Sequence, residues 1–253
     1  MIGIFDDLIN TIPCLIVVDH EKKEKALPLI IYSHGFTSAK EHNLTIAYLL
    51  AKAGFRVVLP DSKYHGEREV KVTSSERQVS FWDIVMKNVE EFGVIKEHFA
   101  NKDLILDGRI GVAGTSMGGI STSAALTQHP WIKVAAVLMG SPKITTYAKT
   151  LVSSFKKMGD LPVTDEMIEH LYENLEKYDL SEQVNKLDNR PLLFWHGEND
   201  AVVPFDHSYT FYDKAKEHYD DPSRIQFIRE ANRDHKVSRS AILKTVQWFE
   251  KHL

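Results

Sequence analysis

Residues Arg109-Ile110-Gly111-Val112-Ala113 form a short apolar run, and Gly114-Thr115-Ser116-Met117-Gly118-Gly119 follows it at once. Ile120–Leu126 then continues with small and apolar residues that read as a helix. This juxtaposition constrains the chain more than any other stretch. A G-x-S-x-G turn between a buried strand and a helix admits only small residues two before and two after the serine. It places that serine at the tip of the bend with its hydroxyl exposed. There the hydroxyl can be activated, and the helix N-terminus behind it can stabilise a developing charge. The same five-residue pattern also occurs as a plain glycine-rich turn, so the rest of the chain must supply the remaining chemistry.

Strand-like and helix-like segments alternate around that turn. Ile12–Val18, Leu29–Ser33, Phe55–Leu59, Val134–Met139, Leu192–His196 and Arg224–Ile228 read as further strands. His42–Ala53, Ser80–Phe99, Ser208–His218 and Ser238–His252 read as helices. The charged turn His20–Lys25 predicts that Ile12–Val18 and Leu29–Ser33 pair as a hairpin. The strands show little polar alternation, as expected for strands buried on both faces. The fold class is therefore α/β: a mostly parallel twisted sheet with helices on both faces. The 253 residues and 43% hydrophobic content fit one such domain, with ligands expected at the carboxyl ends of the strands.

One stretch interrupts the alternation. Between Met139 and Leu192 no strand is evident; Thr145–Met158 and Thr164–Tyr178 read as helices split by Gly159-Asp160-Leu161-Pro162. A connection of this length predicts a helical cap at about residues 143–190, over the strand ends. Tyr147, Phe155, Met158, Met167 and Leu171 either line an apolar pocket beneath it or dock it onto the sheet.

A serine hydroxyl needs a base, and the base needs an orienting acid. In this kind of sheet the order along the chain is Ser, then Asp or Glu, then His, with the later two in loops past strand ends. After Leu192–His196 comes Gly197-Glu198-Asn199-Asp200-Ala201-Val202-Val203-Pro204, which puts Asp200 on the catalytic rim; Glu198 and Asp206 are its rivals. Residues 141–159 contain no Asp or Glu, so the loop after Val134–Met139 offers no alternative. Of the 12 histidines, His235 is the one that follows Asp200 in a loop between a strand and a helix. An oxyanion needs two backbone donors. Met117, next after the serine, supplies one N–H, and Phe36 in the loop His34-Gly35-Phe36-Thr37 supplies the other. His34 reads as structural.

Composition excludes several classes. A net charge of −4 argues against nucleic-acid binding. No run of twenty apolar residues predicts a membrane span. The acidic start Met1–Asp7 and the short apolar stretch Ile12–Val18 do not read as a secretory signal. A single cysteine, Cys14, precludes an internal disulfide and fits a reducing, cytoplasmic location. No Cys/His cluster or H-E-x-x-H pattern calls for a metal or cofactor.

The set His34-Gly35-Phe36, Gly114-x-Ser116-x-Gly118-Gly119, Gly197-x-x-Asp200-x-x-Val203-Pro204 and His235 resembles the α/β-hydrolase superfamily over nearly the whole chain. More narrowly it is similar to small bacterial carboxylesterases of the dienelactone-hydrolase and prolyl-oligopeptidase-like branch. Asp61-x-x-Tyr64-His65-Gly66-Glu67-Arg68 is similar to a loop of that branch. Ser116 stands where dienelactone hydrolases carry cysteine, and the oxyanion loop reads H-G-F-T rather than H-G-G-G. The late start of the resemblance implies that the early antiparallel strands are trimmed. The resemblance implies a serine carboxylic-ester hydrolase acting on small, short-acyl esters, without cofactor. Ser116 is then the nucleophile, His235 the base and Asp200 the acid, with Tyr64, Tyr147, Phe155, Met158 and Val203 as pocket residues. An aminopeptidase, amidase or thioesterase using the same triad, and a non-catalytic binding protein on this scaffold, are the alternatives.

Overall fold

Apolar runs bounded by polar turns build the sheet. Its strands are β1 (Ile2–Ile9), β2 (Ile12–Asp19), β3 (Leu27–Ser33) and β4 (Arg56–Pro60). They continue with β5 (Ile105–Thr115), β6 (Val134–Leu138), β7 (Leu192–Gly197) and β8 (Ile225–Glu230). The computed structural model describes residues 1–70, 72–158 and 163–253, so the expected break at Gly159–Pro162 and the side chain of Met158 lie outside the described residues. The eight strands form one sheet in the order β1-β2-β4-β3-β5-β6-β7-β8. From β4 to β8 every pairing is parallel, whereas β2 runs antiparallel to both β1 and β4.

Two sequence expectations are corrected at the sheet's leading edge. β2 does not pair with β3; it forms its hairpin with β1, and β4 lies between β2 and β3. Nor are the early antiparallel strands trimmed, because β1 and β2 supply them. The signal for β1 was weak because an edge strand is covered on one side only. Ile4 and Leu8 point outward and Asp6 alternates with partly buried neighbours, so no continuous apolar run marks it. Asn10, with φ of 59°, turns the chain between β1 and β2, a conformation asparagine tolerates well.

Alternate strand residues face opposite layers. Leu29 and Ile31 join one core with α3 (Phe81–Ala100) and α4 (Met117–Gln128). Ile30 and Tyr32 join the other core with α1 (Leu44–Lys52) and α8 (Arg239–His252). α2 (Ser74–Val79) precedes α3 as a separate helix, capped by reciprocal bonds between Thr73 and Glu76. α4 is buried on all sides. Its hydroxyls are satisfied within the helix: Ser121, Thr122 and Ser123 each donate to the carbonyl four residues back, as buried polar groups require. Between β6 and β7 run α5 (Ile144–Met158) and α6 (Asp165–Glu176), and α7 (Phe205–Ala215) follows β7. Among the described residues no helix is long and apolar enough to cross a membrane.

Candidate active site

Register brings the functional loops to one end of the sheet. Ser33 pairs with Gly114, Thr115 with Leu138, and Gly197 with Glu230, so β3, β5, β7 and β8 end side by side. Ser116 sits between β5 and α4 with φ of 56° and ψ of −116°. This is a strained conformation for a residue with a side chain. Two restraints impose it. The Ser116 N–H donates to Leu138 O at 2.9 Å. A Cβ on Gly114 would meet the Gly118 backbone, and a Cβ on Gly118 would meet the Ser33 carbonyl. The close packing of strand on helix therefore requires glycine at both places.

The bend aims the Ser116 hydroxyl at His235, whose Nε2 lies 2.8 Å from Oγ. On the far side of the ring, Nδ1 lies 2.6 Å from Asp200 Oδ2. A carboxylate only accepts, so the ring nitrogen facing it carries the proton, and Nε2 is left to accept from the serine. The Asp200 side chain is fully buried, whereas that of His235 is partly open to the cleft. The backbone N–H groups of Val202 and Val203 both donate to Asp200 Oδ1 at 2.9 Å. Burial alone would raise the carboxyl's pKa. Bonds from His196, His235 and these N–H groups outweigh it and hold the group far below the usual carboxylate range. The rivals stand elsewhere: Glu198 pairs with Arg229 at 3.3 Å, and Asp206 opens α7.

His196 was not singled out from sequence. It is fully buried, and its Nε2 donates between Asp200 Oδ2 at 3.1 Å and Val203 O at 3.0 Å. Its place at the end of an apolar strand makes it look like a core residue. The available signal was the H-G step directly before the acid loop. His34 is structural as expected: Nδ1 donates to Gly35 O at 2.7 Å, and Nε2 accepts from Ser62 N–H at 3.0 Å. Both nitrogens are thus committed in the neutral ring, and burial lowers the pKa to about 4.

Gly35 crosses directly over Ser116 and Thr115, and Phe36 lines the same cleft as Ser116 and His235. Met117 opens α4, so its N–H lies in the first turn, which has no intrahelical acceptor. The cleft measures about 410 Å³ and includes Ser38, His42, Met139 and Lys236 in its lining. Among the expected pocket residues, Tyr64, Tyr147, Phe155 and Val203 do not line this cleft. Tyr147 is buried, with its hydroxyl donating to Val202 O at 3.1 Å, and it ties α5 to the acid loop. Val203 is buried and engaged through its backbone. Tyr64 takes a φ of 64° beside Lys63 and lies outside the cleft. Phe155, with Met167 and Leu171, lines a separate apolar cavity of about 300 Å³ between α2, α3, α5 and α6. Phe36 on the cleft and Phe81 on that cavity meet edge to face at 5.5 Å.

Sheet order and turn geometry are those of an α/β-hydrolase, and the relatives of the chain make it a serine hydrolase. TT1662 from Thermus thermophilus superposes with a TM-score of 0.77 at 18% identity, covering 99% of this chain and 98% of that one. Est1E from Butyrivibrio proteoclasticus with ferulic acid bound gives 0.67 at 18% identity, over 98% and 96%. The chain is 50% identical over 255 residues to "Putative esterase YitV" of Bacillus subtilis (strain 168), with 100% of each covered. It is 30% identical over 253 residues to "Esterase YjfP" of Escherichia coli (strain K12), again with 100% of each covered. Residues 42–253 match the Prolyl oligopeptidase family, and the chain belongs to it.

Proposed function

We propose that this protein hydrolyses carboxylic esters of small acids through an acyl-enzyme. The observation that carries the reading is the unbroken series Ser116 Oγ–His235 Nε2 at 2.8 Å and His235 Nδ1–Asp200 Oδ2 at 2.6 Å. The esterase names of two relatives aligned over their full length support it. Ser116 attacks the ester carbonyl while its proton passes to His235. The ionised Asp200 holds the ring and stabilises the imidazolium. The N–H groups of Phe36 and Met117 receive the oxyanion. His235 returns the proton to the departing alkoxide, and the alcohol leaves. Water then repeats the sequence on the acyl-enzyme, releasing the acid and restoring Ser116.

A cleft of about 410 Å³ lies toward the small end of ligand sites, which favours short acyl groups. The Phe36–Phe81 ring pair stands between this cleft and the apolar cavity that Phe155 lines. We assign α5 and α6 the role of a cap, supported by the Tyr147 tie to the acid loop. A lone cysteine, buried and unpaired, favours a reducing compartment.

The test is a panel of p-nitrophenyl esters from acetate to decanoate, run beside aminoacyl p-nitroanilides and acyl-CoA. Turnover should be highest on the short esters. Anilide or thioester turnover exceeding that of every ester would replace the esterase reading. Ser116→Ala should lower turnover by on the order of a million-fold on the scale of other serine hydrolases, and wild-type turnover in that variant would remove Ser116 from the mechanism.

A further inference from the structure

Loop 61–68, between β4 and α2, holds the loop His34–Lys40 at several points. The Thr37 N–H donates to His65 Nε2 at 3.1 Å, and His65 Nδ1 donates to Lys63 O at 2.8 Å. The Ser62 N–H donates to His34 Nε2. Asp61 receives the Lys40 N–H on Oδ1 at 3.0 Å and the Lys40 ammonium on Oδ2 at 2.8 Å. The His65 ring also packs at 5.3 Å from the ring of Phe36. Asp61, Lys40 and His65 are all buried. The carboxylates of Glu41, Asp61 and Glu67 gather around the Lys40 ammonium, which already serves as their counter-charge.

The geometry of Thr37 gives this network a purpose. Thr37 has a φ of 59°. A β-branched residue is strained there, and such strain persists only where surrounding contacts over-determine the conformation. The Thr37 N–H is the amide directly after Phe36, so the orientation of the Phe36–Thr37 peptide is fixed by the acceptor that the Thr37 N–H finds. That acceptor is the unprotonated Nε2 of His65, whose tautomer is set by the Lys63 carbonyl on the other side of the ring. Arg68 braces the base of the loop, donating to Asp61 O at 3.0 Å and to both Glu91 carboxylate oxygens at 2.7 and 2.9 Å.

We propose that His65 is a positioning residue for the oxyanion hole: by accepting the Thr37 N–H it holds Thr37 in its left-handed conformation and the preceding Phe36 N–H toward the reacting carbonyl oxygen. The proposal rests on the assignment of Phe36 as an oxyanion donor. Its signature is a loss confined to the transition state. Binding of the ground-state ester is unaffected, and stabilisation of the tetrahedral oxyanion falls.

Two isosteric variants separate the two edges of the ring. In His65→Gln the side-chain carbonyl reaches the Nε2 position and still accepts from Thr37, while the bond to Lys63 is lost. In His65→Asn the amide reaches only the Nδ1 position, so the Lys63 bond is kept and the Thr37 acceptor is lost. On p-nitrophenyl butyrate, His65→Asn should lower kcat by about a hundredfold, the scale of one lost oxyanion donor, with KM within about threefold of wild type. His65→Gln should retain kcat to within about fivefold on the same grounds, because the oxyanion donor stays in place. Affinity for a trifluoromethyl ketone, which forms the oxyanion on Ser116, should fall in parallel with kcat/KM. Equal losses in the two variants, a greater loss in His65→Gln, or a loss carried by KM would overturn the proposal. If the Asn variant does not fold, His65→Leu replaces it with the same expected outcome. Ser116→Ala in the same assay separates the two levels: an inactive Ser116→Ala with equal Asn and Gln variants rejects the positioning role alone, whereas an active one rejects the catalytic reading beneath it.

Discussion

At the scale of single residues, the geometry concentrates on Asp200. Its carboxylate accepts from Val202 N–H, Val203 N–H, His196 and His235. Asp200→Asn keeps the shape but lets the amide donate to His235, which favours the wrong ring tautomer. Turnover should fall by on the order of ten-thousand-fold, measured on the ester used for wild type, with the fold intact by circular dichroism. His196→Phe removes the donor shared by Asp200 and Val203 O. Bonds to charged groups contribute about 1.5–3 kcal/mol, so urea unfolding should show a loss of about 2 kcal/mol. Ser116, Asp200 and His235 were legible in the sequence because each lies just past a strand, where a turn glycine or polar loop marks it. His196 was not, because it lies inside the apolar strand and its ring direction follows from strand alternation and the return of the acid loop. His65 was visible only as part of a motif, since its partner Thr37 is 28 positions away.

At the scale of elements, the parallel strands and their helices could be read from apolar runs. The β1–β2 hairpin could not, because edge coverage leaves β1 with outward-facing Ile4 and Leu8 and no clean period. The surroundings of the expected pocket residues were hidden for a related reason. Tyr147 carries both an apolar body and a hydroxyl, and only the fold reveals that the hydroxyl finds Val202 O rather than a ligand. The first residue of α3, Phe81, stands between the cleft beside Ser116 and the apolar cavity. Phe81→Ala should join the two spaces. The ratio of kcat/KM for p-nitrophenyl octanoate over butyrate should then rise about tenfold, a gain of roughly 1.4 kcal/mol from apolar burial. An unchanged ratio would show that the cavity stays closed to the acyl chain.

At the scale of the whole molecule, buried neutral histidines couple stability to pH. The His34 pKa is lowered by burial from its ordinary 6.5 to about 4. Burial also lowers those of His65, His129 and His207. The unfolded chain therefore binds protons that the folded chain refuses. Stability is full above the ordinary histidine pKa and declines as pH falls through the window from 6.5 to about 4. His34 alone accounts for about 3 kcal/mol across that window. Urea unfolding of wild type should weaken on going from neutral pH to pH about 4, by about this amount from His34, and His34→Asn should show a shallower dependence. Below that window Asp200 adds to the decline, because its depressed pKa contributes stability above the ordinary carboxylate range that is lost as the group takes up a proton.

The bond between Ser116 and His235 spans 119 positions of chain, joining the middle of the sheet to the loop after its last strand. Catalysis is therefore a late reporter of assembly. A refolding chain can regain helical signal from local segments well before β8 docks, since contacts of such separation form slowly. Recovered turnover should trail recovered ellipticity after dilution from urea, and the lag between the two curves measures how long the final strand takes to find its place.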